Sequence, residues 1–346
     1  MTLPERASRH ALSILRFPDR HTSWVVLLAG TAAVPADLPA RLTAVAQAVP
    51  MIGARLRDET WEPGSPAAVE FSDDDPLVAP ATARPFDLAC DAPLRVVYSP
   101  RSDRVVVAAH HAAFDGLALV AILDALLGGP NPTPVQSPPA GEPAAVWPVV
   151  QRLVRPAQPV PPSLPAPPNE SIVVRPITIR GPDTTARLAA ACAAAVAAHA
   201  RRQGRTLRRV GITLAVGGPA GVGNVASYRR IDVHPQGAIA DVAVAALAKE
   251  VEPAEQVRSP RAMRLLRPVV DRFSDTLLVS NLGRHDVARV SRLDFCPVAR
   301  GRSAVAFGAA GVNGGDATLS IRARDLSRHD AAQILDDAIS SYEAGA

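Results

Sequence analysis

The chain has 346 residues, 48% of them hydrophobic and 20% charged, and carries a formal net charge of +4. That apolar share excludes a wholly disordered protein, and the length allows two halves of about 150 residues, each with its own core. The mildly basic balance, with no Lys/Arg run interleaved with aromatics, excludes a nucleic-acid-binding composition, yet it suits an acidic or phosphate-bearing partner.

Proline is the unusual figure: 14 of the 34 fall between Pro130 and Pro168. Lys249 is the only lysine, so the basic residues are almost all arginine. Cys90, Cys192 and Cys296 are few and widely spaced, which builds neither a disulfide framework nor a zinc site and favours a reducing compartment. No metal is expected. Met1 to Arg16 carries charges throughout, so no signal peptide is expected, and the alanine-rich stretch 186–200 is too weakly apolar to span a bilayer. The expected location is cytoplasmic.

In chain order, Ser23 to Leu28 reads as a strand, and Asp37 as the cap of a helix whose apolar face is Leu38, Leu42, Val45 and Val49. Leu94 to Tyr98 and Arg104 to Ala109 are β-rich runs around a hairpin-like connection. Leu117 to Leu127 is apolar nearly all round, which predicts a buried helix closed by Gly128-Gly129-Pro130. Residues 129–170 hold the proline cluster and read as an extended linker or surface crossing, with one island around Trp147 able to dock on a neighbour. The second half restarts with a strand at Ile172 to Arg180 and a helix capped by Asp183. Strands are expected at Val210 to Val216, Arg229 to Val233, Thr276 to Ser280, Ala304 to Phe307 and Thr318 to Ala323. The last helix opens with a capping box at Ser327 and Asp330. The expected organisation is a lobe of residues 1–128, a Pro-rich linker 129–170 and a lobe 171–346, each lobe mixed α/β.

The sharpest motif is His110-His111-Ala112-Ala113-Phe114-Asp115-Gly116, set between a β-rich run and the buried helix. His111 falls on a loop at a strand end, where a side chain is available to a cleft, and histidine is the side chain best matched to proton transfer near neutral pH. Asp115 can orient a ring or hold the loop through an arginine, and Gly116 leaves room beside them. A packing pair of histidines with a helix-entry turn is the plainer reading of the same residues.

This heptapeptide resembles the HHxxxDG motif of the condensation-domain superfamily. That superfamily includes the condensation domains of nonribosomal peptide synthetases and the chloramphenicol acetyltransferase-like and polyketide-associated acyltransferases. Arg84-Pro85-Phe86-Asp87-Leu88 with Ala92-Pro93-Leu94-Arg95, residues Asp37 to Leu56, and Ser280-Asn281-Leu282-Gly283 at a strand end are similar to further family segments. The resemblance spans nearly the whole chain, most specifically residues 84–127. It implies an α/β fold with mixed (α+β) sheets: two chloramphenicol acetyltransferase-like lobes in a V-shaped pseudo-dimer with a tunnel between them. His111 would be the catalytic histidine, His110 and Asp115 mainly structural (Asp115 through an ion pair), and Gly116 part of the donor channel. Ser280 or Asn281 would donate to the developing oxyanion, or simply form a polar turn. The implied activity is that of a standalone acyltransferase, moving an acyl group from a thioester to an amine or hydroxyl in specialised metabolism. No tightly bound cofactor is implied: the donor is a phosphopantetheine thioester on an acyl or peptidyl carrier protein, or coenzyme A. Carrier-protein binding without chemistry, and cyclisation, epimerisation or dehydration of a tethered intermediate, remain open alternatives.

Three weaker signals accompany the motif. Arg258, Arg261, Arg264 and Arg267 recur every third residue and offer either a docking stripe for an acidic carrier protein or coenzyme A phosphates, or a solvated face. Arg201, Arg202, Arg205, Arg208 and Arg209 follow a helix end and suit its dipole. Gly221-Val222-Gly223-Asn224-Val225-Ala226 matches a dinucleotide fingerprint, but the strand-like Ser227 to Val233 that follows is the wrong element for one.

Overall fold

A computed structural model of the chain describes residues 3–16, 24–135, 151–165, 170–179, 181–218, 221–249, 272, 274–301 and 304–345. Its first part contains β1 (Glu5–Arg6), α1 (Arg9–Leu15), β2 (Val25–Ala32), α2 (Leu38–Ala48), β3 (Arg55–Arg57), β4 (Thr60–Glu62), β5 (Glu70–Phe71), α3 (Pro80–Ala83), β6 (Leu94–Ser99), β7 (Arg104–His110) and α4 (Gly116–Leu126). Its second part contains β8 (Ser171–Ile177), α5 (Thr184–Arg202), β9 (Val210–Val216), β10 (Ser227–Val233), α6 (Ile239–Leu247), β11 (Leu277–His285), β12 (Val290–Cys296), β13 (Val305–Val312), β14 (Ala317–Ala323) and α7 (Arg328–Ala344).

Two mixed sheets organise these elements. The first runs β12-β2-β7-β6-β5 and the second β10-β9-β11-β13-β14-β8, with a small third sheet β1-β4-β3. The apolar run of β2 is buried on both faces, as a continuous hydrophobic strand requires. Val26 and Leu28 join the core under α2 and α4, whereas Val25, Leu27 and Ala29 face the other way, toward Ile172 and Val174 of β8. The predicted helix after the motif is α4, buried nearly all round by α2, β2, β7 and β11. A second core forms where α5 and α7 lie against the larger sheet.

The crossover strand β12 was not among the expected elements. It comes from beyond residue 171 yet forms the edge of the first sheet, antiparallel to β2, with Phe295 opposite Leu28. Leu293 and Phe295 fill the first core, while the Thr318 and Ser320 hydroxyls of β14 donate to the Leu293 and Phe295 carbonyls. The first sheet is therefore completed by a strand from the second half.

The described parts of the proline segment pack on the second lobe. Val135 N–H donates to the Val222 carbonyl, Val160 enters the second core, and the Pro161 carbonyl accepts from His199 Nε2 at 3.1 Å. The Trp147 island lies outside the described residues. Two caps differ from expectation. Asp37 makes no cap bond and instead pairs with Arg41 at 2.9 Å, and Asp183 sits at a φ of 55° without capping α5. The Ser327 hydroxyl accepts from Asp330 N–H, as the capping box predicts. Among the described residues no helix is long and apolar enough to cross a membrane, and no cluster of three His, Cys, Asp or Glu could hold a metal ion.

Candidate active site

The motif loop begins where β7 ends. His110 is buried, its Nδ1 accepts the Ala112 N–H at 3.1 Å, and its ring meets Phe86 edge-on. Phe86 lies beneath the Arg95 guanidinium, 3.8 Å from ring centroid to Cζ. Arg95, itself 2% exposed, donates to the carbonyls of Arg84 and Pro85 and to Asp91. The segment 84–95 is thus a clamp that seats Phe86 against His110. Burial alone drives the His110 pKa down to about 4, which keeps the ring neutral and structural.

His111 N–H donates to the Trp24 carbonyl, which fixes the backbone at the cavity mouth. Its Nδ1 lies 3.2 Å from the Phe114 carbonyl. A carbonyl only accepts, so Nδ1 carries the ring proton and Nε2 holds the lone pair. That lone pair accepts from the Tyr228 hydroxyl at 2.5 Å. Burial, with the nearby charge of Arg300 and the neighbouring His10 and His110, pushes the His111 pKa down to about 3, so the ring is a neutral base at physiological pH.

Asp115 corrects one expectation. Its carboxylate makes no ion pair among the described residues. Oδ1 accepts the Ala118 N–H at 2.9 Å and so caps α4, and Oδ2 accepts the Val225 N–H at 2.9 Å. Burial raises its pKa even though backbone N–H donors oppose the shift. The glycine loop 221–226 is therefore the second half of the motif's support. Its Gly223 carbonyl accepts from Asp115 N–H, and its Asn224 side chain donates to the His111 carbonyl. The loop leads into strand β10 and not into a helix, so it lacks the shape of a dinucleotide site. At Gly221 a Cβ would stand 2.7 Å from the Thr133 carbonyl oxygen, so the proline segment can approach only a glycine there.

A cavity of about 90 Å³ opens at His111 between the lobes, lined also by Gly116, Leu117, Tyr228, Ser280, Phe295 and Arg300. Ligand pockets commonly reach roughly 300–1,000 Å³, so this space fits the reacting atoms and little else. Gly116 borders it but packs tightly: a Cβ there would lie 2.7 Å from Leu282 Cδ2 and 2.9 Å from Phe295 Cζ.

Ser280 and Asn281 both reach this cavity, in different states. The Asn281 amide is engaged, donating to Thr185 Oγ1 at 3.1 Å and accepting from Gly283 N–H at 3.0 Å. Ser280 Oγ has no protein partner among the described residues and remains available as a donor. Their segment is not a strand end, because β11 continues to His285 through a register shift between Asn281 and Arg284. Arg258, Arg261 and Arg264 lie outside the described residues.

Sequence reasoning missed Tyr228, Arg300 and His10. The Arg300 guanidinium lies 4.9 Å from the Tyr228 ring centroid, and the His10 ring stacks on the Tyr228 ring at 6.5 Å and 26°. Each is an isolated residue far from the motif in sequence, so no local pattern announces it.

No family model matches the chain, and no curated protein matches it. Solved structures do. The SgcC5 protein from Streptomyces globisporus superposes with a TM-score of 0.55 at 16% identity, covering 99% of this chain and 98% of that one. A mutant of the starter condensation domain of rhizomide synthetase RzmA, in complex with C8-CoA, gives 0.62 at 13% identity, covering 99% and 94%. The epimerization domain from the third module of tyrocidine synthetase B gives 0.60 at 12% identity, covering 99% and 96%. At these identities the likeness shows the fold, and over its whole described length the chain has the two-lobed α/β fold of the condensation domains.

Proposed function

We propose that the protein is an acyltransferase that moves an acyl group from a carrier-protein or coenzyme A thioester to an amine or hydroxyl in specialised metabolism. The observation that carries this reading is His111: a neutral imidazole whose Nδ1–H is held by the Phe114 carbonyl, lining a cavity between two lobes of condensation-domain fold. Nδ1–H is committed to the Phe114 carbonyl, so Nε2 is the ring atom that can take up a proton as the nucleophile attacks. Ser280 Oγ is the proposed donor to the oxygen that gains charge as the thioester carbonyl is attacked. Asp115 and the glycine loop hold His111 in place and take no proton. A solved relative in fold binds C8-CoA, which supports a thioester donor.

Intact-mass measurement tests the proposal. Octanoyl-CoA and octanoyl-loaded carrier protein are incubated with a panel of amines and diols, and wild type is expected to produce the acylated acceptor. His111→Ala lowers the rate about 10²–10⁴-fold, the range typical of a lost general base. An acyl load left unchanged by wild type in both mass and configuration would mean a carrier-binding module. The likeness to an epimerization domain favours a second reading, isomerisation of a tethered intermediate. That outcome leaves the mass unchanged and alters only the configuration.

A further inference from the structure

The lone pair of His111 Nε2 is already used. It accepts from the Tyr228 hydroxyl, whose residue comes from β10 of the other lobe, so no nucleophile can bond to Nε2 while that contact stands. The phenol oxygen keeps its own lone pairs, and Tyr228 lines the same cavity.

Swinging Tyr228 aside is opposed from three directions. Its backbone is registered against Ala215 in the β9–β10 ladder. Its ring contacts both the Arg300 guanidinium and the His10 imidazole. Arg300 is in turn held 3.6 Å from Asp275, whose carboxylate also takes Arg230 at 2.9 Å.

Resting on the acyl-transfer reading, we propose that Tyr228 is a further catalytic residue, a relay between the nucleophile and His111. As the nucleophile's N or O bonds to the thioester carbon, its proton passes to Tyr228 Oη and the phenol proton passes to His111 Nε2. The carbonyl electrons move to oxygen. When the carbonyl reforms, the C–S pair leaves on sulfur, and the thiolate recovers the proton along the same path. His111 ends neutral and Tyr228 protonated, so atoms and charge balance. The fixed positive charge of Arg300 beside the ring eases the negative character the phenol oxygen gains during the relay, acting against the burial that raises the Tyr228 pKa to about 12.

Tyr228→Phe keeps the ring, its stacking and its cation contact, and removes only the relay. With octanoyl-CoA and an accepted amine or diol, kcat is expected to fall 10²–10³-fold while KM stays within about twofold. Rates in H2O/D2O mixtures should bow for wild type, with two protons moving together, and become linear for the variant. If Tyr228→Phe unfolds, fluorinated tyrosine incorporated at all three tyrosines keeps the hydroxyl and lowers its pKa. The basic limb of kcat then moves to lower pH, because Tyr228 is the tyrosine that borders the cavity. A Tyr228→Phe enzyme that is as fast as wild type or faster, with unchanged isotope behaviour, overturns the relay. If His111→Ala is inactive in the same assay, acyl transfer survives that result; if His111→Ala is also fully active, the function itself falls.

Discussion

The Asp115 carboxylate on the first lobe accepts the Val225 N–H of the second at 2.9 Å, while its other oxygen caps α4 through Ala118. One side chain thus fixes the helix entry and ties the motif loop to the glycine loop. Asp115→Ala removes a cap, worth about 0.5–2 kcal/mol, and leaves a buried N–H without an acceptor, a further ~1–3 kcal/mol. The expected total is roughly 2–4 kcal/mol in urea unfolding. Asp115→Asn keeps one acceptor oxygen and should lose about half of that. An alanine variant as stable as wild type would refute the clamp.

Much of this arrangement is legible in the sequence, and the reason is locality. The strand–loop–helix around His111 announces itself because apolar runs, a turn and a cap lie within about 25 adjacent residues. The crossover strand hides because Arg292 and Asp294 interrupt its apolar pattern. Asp294 is buried beside Arg104, a pairing of distant residues that makes a polar position part of a buried edge strand. Tyr228 hides for the same reason. Its neighbours Ser227, Arg229 and Arg230 make it look like an ordinary edge-strand aromatic, and only the fold brings it to His111. Among the described residues Asp115 makes no ion pair, and backbone N–H groups fill that role instead. Any sequence supplies such groups, so none is visible as a motif.

The buried histidines set a pH dependence of stability. Folding lowers the His110 pKa from 6.5 to about 4 and that of His111 from 6.5 to about 3. Between pH 6.5 and those values the unfolded chain binds more protons than the native one. Their contribution is therefore complete above about pH 6.5 and declines as the pH falls. At about 1.4 kcal/mol per pH unit for each ring, the two together cost up to ~4 kcal/mol between pH 7.5 and 5. Urea midpoints at the two pH values check this, and His111→Asn should roughly halve the drop. The same neutral ring predicts that kcat/KM shows no acid limb from His111 down to about pH 5. Equal midpoints at pH 7.5 and 5 would contradict the linkage.

Gly116 borders the cavity at the point where the crossover strand and β11 press hardest on the motif. A methyl group there would meet Leu282 Cδ2 at 2.7 Å and Phe295 Cζ at 2.9 Å, closer than real Cβ contacts come. Gly116→Ala should therefore cost about 1–3 kcal/mol by overpacking and slow acyl transfer by narrowing the space beside His111. Leu282 is partly buried and can be shortened without touching the proton path. In the double variant Gly116→Ala/Leu282→Ala the methyl gains room on one side, so the two effects should be less than additive by about 1 kcal/mol. Phe295 remains in place, so recovery of turnover is expected to be partial. Strict additivity in both stability and rate would show that Leu282 does not confine the motif glycine, and that its small size answers to some other contact.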